Sequence, residues 1–289
     1  METSKEILET LYTPRSAESK KYDHGLVTVI GGSELYSGAP ALSALAAFRA
    51  GCDMVRVIAP KRAADIIASF SPILAAYPLK GDWLLKEHLA TLLSLVESAN
   101  EVSSGKTAVV IGGGAGRSEE TQEIIAQFLA QANIPVVIDA DAIYAIARNS
   151  EIIAKKPFLI TPHSYEFFVL TGKEIAGLPE DKKIELVRAE AQRLQTTILL
   201  KGAVDIISDG SSVSINRTGS PLMAKGGTGD TLAGIAGALL ARGISPLVAG
   251  AGAAFINGFA GELAIERLGE SFVATDLIEE IYEVLKIGK

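Results

Sequence analysis

Six short runs rich in Val, Ile and Leu recur along the chain: "GLVTVIGG", "DMVRVIAP", "TAVVIGGG", "IPVVIDAD", "FLITPH" and "TILLKGA". Apolar strands without polar alternation belong to a sheet covered on both faces, and segments such as "SEETQEIIAQFLAQA" and "KKIELVRAEAQRLQ" supply the helical period between them. The pattern predicts a three-layer α/β/α sandwich with a mostly parallel central sheet. Ligands of such sheets gather at the carboxyl ends of the strands, so the chemistry is sought in the loops that follow these runs. The pattern changes at "DIISDGSSVSINRTGS". There "DGSS" reads as the turn of an edge hairpin, and the remainder reads as helix.

The 289 residues are 48% hydrophobic and 21% charged, the profile of a single globular domain over residues 1–289. Residues 1–24 are read as an N-terminal helical extension packed on the body or on a neighbouring subunit. A net charge of -7 provides no positive field for nucleic acid or anionic lipid. Cys52 is the only cysteine, which excludes an intramolecular disulfide and a multi-cysteine zinc cluster. "METSKEILET" lacks the basic-then-apolar order of a secretory signal, so a cytoplasmic setting is expected. "PLVAGAGAAFINGFAGELAI" is the most membrane-like run, yet its Gly and Ala content with Asn257 and Glu262 predicts a buried helix in place of a membrane span.

Two glycine motifs mislead. "SGKT" at 104–107 lacks the P-loop's earlier glycine, having Asn100 there, and it precedes a strand where that motif requires a helix. "IGGGAGRSEET" follows a strand as a dinucleotide fingerprint would, but Arg117 stands where the third glycine should fall. A glycine turn still admits a ligand close to the backbone, which keeps Gly112, Gly114 and Gly116 as binding candidates.

"MAKGGTGDTLAG" carries the strongest chemistry. Gly226, Gly227, Thr228 and Gly229 precede an apolar helix, and glycine conformations with the helix's unpaired N–H groups make an anion cradle suited to a phosphoryl group in transfer. Asp230 beside such a cradle reads as a general base or as a helix cap. "VIDADAIYAI" places Asp139 and Asp141 at a strand end, as magnesium contacts through water or as caps. "LITPHSYEF" sets His163 and Glu166 after another strand, with His163 facing a ligand or serving the structure, and "LLKGAVD" presents Lys201 to nucleotide phosphate or to solvent. His24 and His88, without partners in sequence, are expected at the surface.

Taken in order, "VIGGSELYSGAPALSALAAFRAGCDMVRV", "VIGGGAG", "DADAIYA", "TPHSYEF", "LLKGA" and "NRTGSPLMAKGGTGDTLAG" resemble the ADP- or ATP-dependent NAD(P)H-hydrate dehydratases of the ribokinase-like superfamily. The resemblance runs from about Gly25 to about Gly261. It implies a ribokinase-like fold and repair of hydrated nicotinamide cofactor, with ADP or ATP as phosphoryl donor and Mg2+ as cofactor. The new hydroxyl is phosphorylated and phosphate is then eliminated. Asp230 matches the family's base, and Gly229 with its neighbours the anion hole. Ala39, Gly116 and His163 match positions for the hydrated dinucleotide, while Lys201, Gly202, Ala203, Val204, Asp205 and Gly229 match those for the adenine nucleotide. A homo-oligomer, commonly a tetramer, is also implied. An epimerase would have to come from elsewhere, so action is restricted to the S hydrate. Two departures stand out: "GGGAG", expected to loosen its turn, and Tyr144, where the family commonly has asparagine. The rival readings are a kinase of a small thiazole or pyrimidine alcohol and a nucleotide-binding regulator without turnover.

Overall fold

The computed structural model describes residues 2–287; Met1, Gly288 and Lys289 lie outside the described residues. Among the described residues, nine strands form one sheet in the order β3-β2-β1-β4-β5-β6-β7-β8-β9. They are β1 (Leu26–Ile30), β2 (Met54–Pro60), β3 (Ala75–Leu79), β4 (Thr107–Ile111), β5 (Val136–Ile138), β6 (Phe158–Ile160), β7 (Thr197–Leu200), β8 (Asp205–Ser208) and β9 (Val213–Asn216). The pairings from β3 through to β7 are parallel, and β8 and β9 close that side as an antiparallel hairpin. Its turn forms as the sequence predicts, with Asp209 Oδ1 accepting from the amides of Ser211 (2.9 Å) and Ser212 (2.7 Å).

Alternate side chains of the strands feed two cores. Val27, Val29, Val55, Val57, Ala108 and Val110 face a helical layer made of α1 (Ile7–Leu11), α2 (Gly38–Arg49), α3 (Lys61–Phe70), α9 (Thr228–Ala241), α10 (Pro246–Leu268) and α11 (Ala274–Ile287). Ile30, Ile58, Val109 and Ile111 face the other layer, of α4 (Leu89–Val102), α5 (Glu119–Gln131), α6 (Asp141–Ala147), α7 (Ser164–Thr171) and α8 (Glu180–Leu194). Apolar burial on both sides explains why these strands read as unbroken apolar runs.

Sequence reading missed β3. It pairs only with β2, contains Pro78 and leaves most of its residues partly exposed, so its "AAYPL" carries no continuous apolar signal. The N-terminal segment contributes the single turn of α1, whose Leu8 and Leu11 are buried. By length and composition α10 could cross a membrane, but 72% of its apolar window is buried inside the protein. Its small residues let neighbours approach: a methyl at Gly250 would stand 3.1 Å from Ile207 Cγ2 and 3.2 Å from Leu159 Cδ1.

The chain winds from β1 outward to β3, then returns to place β4 on the opposite flank of β1. That reversal opens a crevice beyond the carboxyl ends of β1 and β4.

Candidate active site

The turn after β4 forms the floor of the crevice. Gly112 takes φ +125°, and a methyl there would overlap the Asp139 carbonyl oxygen, so only glycine fits. Gly32 donates to the Gly113 carbonyl (2.9 Å), joining the loop after β1 to this turn. Gly116 donates to Asp141 Oδ2 (2.9 Å), and its carbonyl accepts from Gln122 Nε2 (3.0 Å). The "GGGAG" turn is thus tied at several points. Gly112→Ala should cost roughly 3 kcal/mol or more through strain and overlap. A melting curve checks this, and an unshifted midpoint would show that the turn has slack.

The start of α9 forms the facing wall. Thr228 Oγ1 donates to the carbonyls of Met223 (2.9 Å) and Lys225 (3.0 Å), and Asn257 of α10 donates to the Thr228 carbonyl (3.2 Å). Ser43 Oγ donates to the Asp230 carbonyl (2.9 Å). Gly227 enters the helix at φ +99°, where a methyl would stand 2.7 Å from both Ala274 Cβ and Leu42 Cδ1. The first amides of α9, those of Thr228, Gly229 and Asp230, have no partner within the helix, and with the positive dipole end they form an anion cradle on a fixed frame.

Asp230 lies in the first turn of α9, yet its carboxylate caps no amide among the described residues. It stands 3.0 Å from where a methyl at Gly113 would be, so the two walls meet at this group. Burial, followed by repulsion from Asp139, raises its pKa from 3.8 to about 7, with Lys201 pulling the other way and Asp141 and Glu166 adding to the rise. A carboxylate poised near neutrality beside an anion cradle is equipped to accept a proton. The capping alternative for Asp230 falls away.

Lys201, just past β7, gives the cradle a cation. Its Nζ lies 2.9 Å from Asp139 Oδ1, 3.7 Å from Glu166 Oε2 and 3.5 Å from where a methyl on Gly229 would stand. Burial opposes the charge, but Asp139 and Glu166 outweigh it and hold the pKa above that of a free lysine. Asp139 also accepts from Thr161 Oγ1 (2.6 Å), and Asp141 is engaged by Gly116 and Arg117. Among the described residues no group of three or more His, Cys, Asp or Glu is arranged to hold a metal ion. The protein thus offers Asp139 to Lys201 before any metal.

His163 and Glu166 cap each other's backbone at the start of α7. His163 Nδ1 accepts from the amides of Tyr165 (3.1 Å) and Glu166 (3.3 Å), and Glu166 Oε2 accepts from the His163 amide (2.9 Å). The His163 side chain remains 52% exposed, so its capping leaves a face for a ligand. Beyond Lys201, Gly202 donates to Asp205 Oδ1 (3.0 Å), and Asn216 Nδ2 donates to its other oxygen (3.1 Å). Burial raises Asp205 to about 6. The loop therefore holds exposed Gly202 and Ala203, with Val204, on a fixed carboxylate.

A cavity of about 850 Å³ lies between the two walls. Of the residues singled out in sequence, Ala39, Gly114, Gly116, Asp141, Gly226, Gly227 and Asp230 line it; Gly112, covered by Asp139 and Ala142, does not, nor do Asp139, Thr228, Gly229, His163, Glu166 and Lys201–Asp205. Lys201 joins it indirectly, through Gly229 and Asp139. Tyr36, Trp83 and Arg117 also line the cavity and were missed. Tyr36 and Trp83 belong to loops without local pattern, but Arg117 was visible beside the glycine turn. His88, expected at the surface, is buried at 5% exposure, with Nδ1 accepting from the Leu85 amide (3.1 Å), and His24 is half-buried.

A doubly wound sheet, with a glycine-led helix carrying a half-buried carboxylate at its switch point, defines a ribokinase-like protein. Among solved structures, a ribokinase-like superfamily protein from Enterococcus faecalis V583 superposes with a TM-score of 0.84 at 27% identity, over 99% of this chain and 95% of that one. An ADP/ATP-dependent NAD(P)H-hydrate dehydratase from Bacillus subtilis, co-crystallised with ATP/Mg2+, gives 0.79 at 27% identity, over 99% and 98%. Residues 27–283 match the family model of the carbohydrate-kinase-type NAD(P)H-hydrate dehydratases, and the chain belongs to that family. It is 37% identical to an ADP-dependent (S)-NAD(P)H-hydrate dehydratase of Cenarchaeum symbiosum, over 94% of this chain and 92% of that one. It is also 42% identical to a bifunctional NAD(P)H-hydrate repair enzyme of Hyperthermus butylicus, of which it spans about half the length.

Proposed function

We propose that the protein restores NADH and NADPH from their 6S hydrates, using ADP as phosphoryl donor and releasing AMP and phosphate. The observation that carries this is Asp230, a carboxylate near neutral pKa set between the cavity and the anion cradle. Asp230 takes the proton of the substrate hydroxyl as its oxygen forms a bond to the distal phosphorus of the nucleotide, and the bond from that phosphorus to the nucleotide's bridging oxygen breaks. The amides of Thr228, Gly229 and Asp230, with Lys201 behind them, stabilise the charge on the transferring group. Phosphate then leaves the phosphorylated carbon as a proton leaves the adjacent ring carbon to solvent, and the C–H electron pair becomes the restored ring double bond.

Magnesium would reach this site on the nucleotide's phosphates. Asp139 is paired with Lys201 and Asp141 with Arg117, so the side chains do not form a resident metal site, and no step here depends on one. ADP is favoured over ATP because the Cenarchaeum symbiosum and Nitrosopumilus maritimus relatives carry ADP in their names. The small-alcohol kinase is less well supported: a cavity of about 850 Å³ beside the base exceeds what a thiazole or pyrimidine alcohol fills.

Lys201–Asp205 and exposed His163 would meet the adenine nucleotide and the hydrated dinucleotide respectively. Association into a homo-oligomer is supported by the exposed apolar side chains of Phe70, Ile73 and Tyr77 along the β3 edge. An epimerase supplied separately would bring the R hydrate within reach. A cytoplasmic setting agrees with the free, buried Cys52.

The test is incubation with magnesium and NADH hydrate, adding ADP or ATP in separate reactions. Return of the reduced nicotinamide's absorbance with ADP, accompanied by AMP, is the expected result. Recovery only with ATP would change the donor. Nucleotide binding without recovery from either would reject dehydration and turn attention to small alcohols.

A further inference from the structure

The cavity is laid out along a single turn of backbone. A methyl at Gly113 would stand 3.0 Å from Asp230 Oδ1, one at Gly114 2.8 Å from Tyr36 Cβ, and one at Gly116 2.6 Å from Trp83 Cζ3. Arg117 follows and completes that wall. The reacting end is thus fixed at Asp230, and the far end lies at Trp83 and Arg117.

Among the described residues, Arg117 is the one cation lining this cavity, where Glu120, Asp141 and Asp230 also stand. A dinucleotide brings a doubly charged diphosphate into this acidic space, in a chain whose net charge is already -7. Such an anion needs a fixed positive partner to offset the repulsion. Arg117 is built as one. Its Nε donates to Asp141 Oδ1 (2.7 Å), while the other oxygen of Asp141 holds the Gly116 amide. Its Cζ lies 3.8 Å from the centroid of the Tyr144 ring, so the guanidinium plane is held from below as well. Among the described residues its two terminal nitrogens donate no hydrogen bond to the protein, and the side chain is 55% exposed.

We propose that Arg117 is a specificity-determining residue that clamps the diphosphate of the hydrated dinucleotide through its two terminal nitrogens, with Asp141 and Tyr144 as positioning residues. This rests on the dehydratase reading. The planar fork matches two phosphate oxygens, a fit a point-charge ammonium lacks. Tyr144 acquires a purpose here, since a flat ring beneath the guanidinium restrains it where an asparagine would not.

The test compares wild type with Arg117→Gln and Arg117→Lys. The readouts are KM for NADH hydrate and NADPH hydrate at saturating ADP, and Kd for NADH itself. For Arg117→Gln, both KM values and the NADH Kd should rise together by about tenfold to a hundredfold, with kcat and the melting midpoint little changed. Arg117→Lys should recover part of the loss. Unchanged KM and Kd in Arg117→Gln would overturn the clamp. A rise confined to NADPH hydrate would also overturn it, by moving the contact to the 2′-phosphate. If the wild type dehydrates neither hydrate, the dehydratase reading fails, but the NADH Kd still decides the clamp: equal values for wild type and Arg117→Gln reject it.

Discussion

Replacing Asp230 by asparagine should lower turnover of NADH hydrate by about 10²- to 10⁴-fold while nucleotide still binds, because the cradle of amides remains and only the proton acceptor is lost. Single-turnover kinetics with a nucleotide titration separates the two effects. Turnover unchanged in Asp230→Asn would remove Asp230 from the chemistry. The pH profile gives a second handle, since Asp230 titrates at about 7 and the wild-type rate should fall on the acid side of that value. Stability moves the opposite way. The folded pKa lies above the ordinary 3.8, so this group's contribution is fully present below about pH 4 and is lost as pH rises through about 7. Asp230→Asn should therefore melt above wild type at pH 8, with the gap closing in acid.

The second large effect is expected at Lys201. Lys201→Met leaves buried Asp139 and Glu166 without their cation, and breaking such a cluster costs roughly 3–5 kcal/mol. Nucleotide affinity should fall as well. The remaining activity should have its acid limb moved to higher pH, because Lys201 pulls the Asp230 pKa down. Asp139→Asn should do the reverse, since Asp139 pushes that pKa up and its loss also frees the lysine charge to act on Asp230. Opposite displacements of the acid limb in these two variants would establish the electrostatic coupling. Displacements of the same sign would refute it. Asp139→Asn keeps the test open even if Lys201→Met folds poorly.

The two parts of this site differ in how far they were legible in sequence. The glycines of residues 226–229 and Asp230 could be read because helix-start geometry, backbone freedom and a carboxylate's proton chemistry all act within a few residues. The Asp139–Lys201 pair could not, because it joins residues 62 apart and exists only through the sheet order that sets β5, β6 and β7 side by side. Asp139 alone suggested a metal contact or a cap, and its actual partner is a lysine two strands away. Six strands were readable from their apolar runs, whereas β3, half-exposed at the edge, gave no such signal. Tyr144 stood out as an oddity, but its partner Arg117 emerged only when α6 was placed against the turn after β4.

The Gly- and Ala-rich α10 has a consequence for any attempt to diversify this protein. A methyl at Gly258 would crowd the Thr218 carbonyl carbon to 2.7 Å, and one at Gly261 would crowd Met223 Cε to the same distance. The same helix holds the start of α9 through Asn257. Variation that enlarges α10 would propagate into the segment leading to the reacting carboxylate, although α10 supplies no residue to the cavity. Latitude for redesign lies instead at exposed side chains away from the cavity, such as Val102 and Val273.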